Sequence, residues 1–207
     1  MSDKLYKWEL ALIAGVVAAM VWGACTSRAQ AELAEQVIRI HVIANSDTPE
    51  DQELKLAVRD AVLKQVEELG EQASSTREME GLLREQLDCL EKTAGAVLND
   101  NGCPYPVTAS LTDCWFPTKE YEGFSFPAGE YRALRLTIGE GAGQNWWCVA
   151  FPPLCVGASS QSVEEAVEIG YFTQEQGALL TGEEGTYILR FKSMELLGTI
   201  KGLFLQD

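Results

Sequence analysis

Side-chain catalysis needs a nucleophile, a base and a group to orient them, and this chain offers few of each. His41 is the single histidine among 207 residues. A multi-histidine metal site is therefore impossible, and any imidazole chemistry runs through one position. Ser46 and Asp47 follow close behind it, supplying the residue types of a hydrolytic triad. Triads are assembled from separated elements, however, and a Ser-Asp pair just past a strand is better used to open a helix. His41 reads as a hydrogen-bonded structural residue that faces opposite to Val42. The six cysteines are the remaining nucleophiles. None lies in a C-x-x-C, which argues against zinc and thioredoxin-type chemistry. No basic residue near Cys148 or Cys155 along the chain would lower a thiol pKa. An exported thiol-dependent hydrolase pairing Cys148 or Cys155 with His41 stays as the enzymatic alternative. Gly139-Glu140-Gly141-Ala142-Gly143 has the glycine density of a phosphate loop. No helix follows it, no lysine stands beside it and Glu140 repels anions, so it reads as a tight connection between two strands. No metal or cofactor is expected.

Charge and the amino terminus set the compartment. Sixteen basic against 31 acidic residues give a net charge of −15. With no Lys/Arg cluster to override it, that charge repels phosphate backbones, and nucleic-acid binding is excluded. Lys4 and Lys7 precede an uncharged run from Leu10 to Ser27, whose apolar part, Leu10 to Ala24, is fifteen residues long. A spanning helix needs about 20, so the pattern fits a secretory signal, with Ala29-Gln30-Ala31 as an A-x-A cleavage site. Residues 1–31 are read as signal peptide or signal anchor, and 32–207 as a single extracytoplasmic domain. Retention as an anchor, or lipidation at Cys25 after Gly23-Ala24, are the rivals. All three export the rest of the chain, and the membrane is touched only through this segment where it is retained. Cysteines suit that compartment. Loss of Cys25 leaves five, so one stays free or pairs between chains. Cys148 and Cys155 are a disulfide candidate only if Pro152-Pro153 reverses the chain, because extended they would lie roughly 20 Å apart.

The elements that position these residues follow from local pattern. Val37 to Ile43 is rich in β-branched residues and reads as a strand. Asp47 or Thr48 caps the helix behind it, Pro49 suits its first position, and Leu54, Val58, Val62, Val66 and Leu69 form a helical stripe ending at Gly70. Ser75 to Glu78 has capping-box form and opens a second helix with Met79, Leu83, Leu87, Leu90, Ala94 and Leu98 on one face. Cys89 lies close to that stripe and is expected to be a buried thiol. Strands are expected over Tyr105–Leu111, Tyr131–Ile138, Trp146–Phe151 and Tyr187–Phe191. Short helices are expected after the boxes Ser162–Glu165 and Thr173–Gln176, and a terminal one over Met194–Phe204. The sum is one α+β domain with early helices packed on a mainly antiparallel sheet.

Trp146 and Trp147 are adjacent in a strand, so they point to opposite faces. Both are buried only if both faces are covered; an exposed one would suit a binding hot spot.

Ile38-Arg39-Ile40-His41-Val42-Ile43-Ala44-Asn45-Ser46-Asp47 and Leu54-Lys55-Leu56-Ala57-Val58-Arg59-Asp60 resemble the amino-terminal signature of the stage II sporulation protein R family. Phe116-Pro117-Thr118-Lys119-Glu120-Tyr121, Pro127 to Arg135 and Gly139 to Cys148 resemble its central motifs, and Phe151-Pro152-Pro153-Leu154-Cys155 continues them. The likeness covers most of residues 37–155. Residues 156–185 add nothing to it, and Cys89, Cys103 and Cys114 stand outside the pattern. The resemblance implies a developmental signal of endospore formation, made in the forespore and exported into the space between the two membranes that separate it from the mother cell. It implies a partner, the membrane-embedded aspartic protease that processes the pro-form of the mother-cell sigma factor (sigma-E), and no chemistry by the chain itself. The candidate partner-binding residues are Asn45, Ser46, Asp47, Phe116, Tyr121, Asn145, Trp146 and Trp147.

Overall fold

Alternation in Ile38-Arg39-Ile40-His41-Val42 puts aliphatic side chains on one side of a strand and cationic or aromatic ones on the other, and the fold is built around that division. The computed structural model describes residues 2–103, 105–121, 123–154 and 162–182. In chain order the elements are α1 (Ser2–Glu35), β1 (Ile38–Ile43), α2 (Pro49–Gly70), α3 (Thr76–Asp100), β2 (Val107–Phe116), β3 (Lys119–Tyr121), β4 (Phe124–Phe126), β5 (Gly129–Ile138), β6 (Asn145–Phe151), α4 (Val163–Ile169) and α5 (Gln174–Thr181). The expected strand Tyr187–Phe191 and helix Met194–Phe204 lie outside the described residues, as does Cys155.

Four strands form one sheet in the order β2-β5-β1-β6. β1 runs parallel to β5, while β1–β6 and β2–β5 are antiparallel. The chain is thus α+β with a mainly antiparallel sheet. The glycine run does join two strands, but not neighbours: β1 lies between β5 and β6, so Gly139 to Gln144 passes over the end of β1. On one face, α2 and α3 cover Ile38, Ile40, Val42, Leu134, Leu136 and Ile138 with Val58, Val62, Met79, Leu83 and Leu90. The second face carries Ala133 and Val149, packed with Phe116, Phe126, Tyr131, Leu33, Val163, Ala166 and Leu180. Its cover comes from the end of α1, the β3–β4 hairpin and the α4–α5 pair.

Local signals hold well. Thr48 caps α2 through its side chain, with Pro49 in the first turn. Both later boxes form, Ser162 with Glu165 and Thr173 with Gln176. Ser75 caps α3, but Glu78 reaches back to Ser74 rather than to Ser75. The stripe ends at Gly70 as expected, but Gly70 is still helical, without positive φ, and Glu71 is the cap. Cys89 is exposed, its Sγ accepting from Gln65 Nε2 at 3.1 Å. One position of helix turns it about 100° away from its neighbour Leu90, out of the buried stripe. α1 continues unbroken across Ala31, with Leu33 fully buried. Along its earlier turns Trp8, Leu10, Leu12, Ile13, Met20 and Val21 are exposed. Among the described residues no helix is long and apolar enough to cross a membrane.

Candidate functional site

The β1–α2 loop and the glycine run meet at the end of β1 and hold each other. Ala142 and Gly143 donate their backbone N–H to the carbonyls of Asn45 and Ala44 at 3.1 and 3.0 Å. The Asn45 side chain accepts from the Glu140 backbone at 3.0 Å and donates to Asp51 at 2.8 Å. Ser46 donates to the same Asp51 oxygen at 2.6 Å, and Asp47 accepts from the Gln144 backbone at 2.7 Å. Lys55, nearly covered, donates to Gln52 at 2.6 Å and to the Gln144 carbonyl at 3.1 Å. Gly143 is required here, because a side chain would collide with the Ser46 carbonyl oxygen. Hydrogen bonds from Ser46 and Asn45 hold the Asp51 carboxyl below its usual range. Asn45, Ser46 and Asp47 are therefore spent on bracing the loops, whatever else they do.

Below that clasp, on the second face, stands a buried arginine. Arg39 is fully covered, with its guanidinium 4.3 Å from the ring centre of Phe116, 5.1 Å from Tyr131 and 5.2 Å from Phe126. It donates to the Tyr121 hydroxyl at 2.7 Å and to the Cys148 carbonyl at 3.3 Å. Tyr121 passes the link on, donating to the Trp147 carbonyl at 3.1 Å. Arg39 forms no ion pair among the described residues, and its Nη1 lacks a hydrogen-bond partner there. Burial lowers its pKa, with Tyr121 and Tyr131 partly offsetting that. An arginine keeps its charge even so, and the ring faces are what receive it. Burial also pushes the Tyr131 hydroxyl up to about 12. Phe116 and Tyr121 thus belong to the packing that fixes β3–β4 on the sheet, Phe116 wholly buried and Tyr121 half-buried.

The next row along the face is Ser110, Arg135, His41 and Trp147, side by side on β2, β5, β1 and β6. His41 Nε2 and Asn145 Oδ1 are 2.7 Å apart, and the imidazole stacks on Trp147 at 5.7 Å. Burial and, to a smaller degree, Arg135 lower the His41 pKa, against the Asn145 hydrogen bond that raises it. Lys119 reaches from β3 to 4.2 Å above the Trp147 ring. Trp146 takes the opposite face, where Arg59 lies 5.2 Å from its ring centre. Both tryptophans are half-buried, since both faces have a cover.

His41 is the hydrogen-bonded residue the sequence suggests, and no described thiol serves it. Cys148 pairs across from Ile40 and is buried on the helix-covered face, so a Cys148–His41 dyad is ruled out by the sheet itself. The pairing with Cys155 lies outside the described residues. Cys89, Cys103 and Cys114 are free; Cys148 is not among the free thiols. Among the described residues no group of histidine, cysteine and acidic side chains is placed to hold a metal. Asn145 and Trp147 share one face of β6, and on that same face the structure places Arg39, Lys119 and Arg135, which sequence reasoning did not single out. The alternation of cationic with aliphatic residues in β1 was the available signal for Arg39.

A family model described as stage II sporulation protein R matches residues 34–161. That range contains the clasp, the Arg39 cage and the Trp147 row. Stage II sporulation protein R of Bacillus subtilis (strain 168) is 39% identical over 121 residues, covering 58% of this chain and 54% of the relative. The chain thus matches about half the length of that curated relative. No solved structure matches.

Proposed function

Because the chain belongs to the stage II sporulation protein R family, with its role in sporulation, we propose that it is an exported signal that activates a membrane-embedded aspartic protease. The protease then processes the pro-form of the mother-cell sigma factor, sigma-E. The carrying observation is the family match over residues 34–161. The chain is made in the forespore and exported into the space between the two membranes, and the apolar amino-terminal run of Leu10 to Ala24 supports that reading. Disulfide closure of Cys148 with Cys155 suits the oxidising compartment, and the turn at Pro152–Pro153 supports that reading.

Activation here is a shift of population. The folded domain binds the active arrangement of the protease more tightly than the inactive one and performs no bond chemistry itself. The test places this chain, the protease and the pro-sigma factor in a non-sporulating bacterial host and follows cleavage on gels. Cleavage is expected only when the chain is exported. Its absence, with the protease responsive to a known activator, overturns the reading.

A further inference from the structure

The second face of the sheet is covered over only part of its length. At the level of Arg39 the Phe116, Phe126 and Tyr131 rings close it. One and two rows further on, Arg135, Thr108 and Asn145 are exposed, and Ser110, His41, Thr137 and Trp147 are half-buried. In a chain of net charge −15, this patch runs the other way. The rows Ser110-Arg135-His41-Trp147 and Thr108-Thr137-Ile43-Asn145 contain no carboxylate. Arg135 and Lys119 form no ion pair among the described residues, in contrast to Arg28, Arg59, Arg84 and Arg132. The indole Nε1 of Trp147 is buried without a hydrogen-bond partner. Two cations outside any ion pair and a half-exposed indole are what an anionic protein segment needs from a docking surface, and Trp and Arg are the side chains that concentrate binding energy.

We propose that this half-face, centred on Trp147, Arg135 and Lys119, docks an acidic segment of the protease's extracytoplasmic part. The inference rests on the signalling function above. The overall negative charge sharpens it: elsewhere the surface repels a carboxylate-rich partner, so the patch selects both the partner and its orientation. The loop clasp at the end of β1 then has a positioning role, holding Asn145 and hence the His41–Trp147 stack in register.

The same host assay tests it. Arg135→Glu with Lys119→Glu, exported at the level of the unaltered chain and with unchanged thermal unfolding, is expected to reduce pro-sigma cleavage at least tenfold. Lys92→Glu, a single charge reversal at an exposed position of α3, is expected to leave cleavage unchanged, and Arg135→Glu alone is its match in charge. Thr108→Glu adds a carboxylate to the same face at an exposed position, and decides the matter should the double variant fail to fold. Full cleavage by Thr108→Glu and by any folded double variant overturns the docking surface while leaving the signalling function standing. No cleavage by the unaltered chain overturns both. Purified protein mixed with phosphatidylglycerol vesicles lacking the protease gives the last arm. Binding there that falls on Arg135→Glu assigns the patch to lipid headgroups and overturns the proposal.

Discussion

The two faces of the sheet are built on different chemistry. Under α2 and α3 the face is aliphatic: Ile40, Val42, Leu134 and Leu136 are all fully buried, and their cover is helical. On the other side β1 presents Arg39 and His41, the cover is a short hairpin and aromatic rings, and polar atoms on Arg39, His41 and Trp147 are buried without a hydrogen-bond partner. The first arrangement stabilises by removing apolar area from water. The second gains less, because desolvating a cation offsets much of what the rings return. The aliphatic face is thus where stability resides, and the cationic face is where the proposed docking surface is held in shape.

The largest expected effect tests the first half of that contrast. Leu134→Ala removes a fully buried side chain from the centre of the aliphatic face. It is expected to cost about 3 kcal/mol of folding free energy in denaturant titration. A loss below about 1 kcal/mol would mean that the helix layer does not carry the stability assigned to it.

Next comes the cage. Arg39→Ala empties the space between Phe116, Phe126 and Tyr131 and removes the donor to Tyr121, so a loss of about 2 kcal/mol is expected. Arg39→Met fills most of that volume without the charge, and its cost is expected to stay under about 1.5 kcal/mol. Equal losses for the two variants would show that the charge, and not the volume, seats β3–β4, and the two faces would then differ less in strength than in kind.

How far the sequence anticipates this depends on the range over which each feature is encoded. Thr48, Ser162 and Thr173 are legible as caps because a cap is settled within four residues. The strand runs are legible too, though β2 extends to Phe116, five residues beyond the expected Leu111, because its pairing with β5 carries it on. The insertion of β1 between β5 and β6 is not legible, since nothing local to Val37–Ile43 names its neighbours. The same holds for the site. Trp146 and Trp147 fall on opposite faces by strand geometry alone, as expected. The use of Asn45, Ser46 and Asp47 within the clasp depends on a loop that arrives nearly a hundred residues later. For Arg39 the alternation in β1 signals only its side of the strand, because the rings that enclose it come from β2, β4 and β5.

The smallest effect bears most directly on the character of the second face. Burial is the main cause holding the His41 pKa below 6.5, Asn145 opposes it, and Arg135 adds to it. Arg39 from β1, Arg135 from β5 and Lys119 from β3 are the charged groups on that side, next to Trp147, Asn145 and Phe116. As pH falls through about 6.5, the unfolded chain takes up a proton that the folded imidazole resists, so the unfolded state gains. The loss begins near that pH and levels off once pH is below the folded pKa. Between pH 7.5 and 5.5 the unaltered chain is therefore expected to lose more thermal stability than His41→Gln, which keeps a hydrogen-bonding side chain toward Asn145 and does not titrate. The opposite sign, with the unaltered chain gaining on the variant as pH falls, would require a carboxylate facing His41. The second face would then already hold its own anion, and the cationic patch around Trp147 would have no vacancy for a partner's.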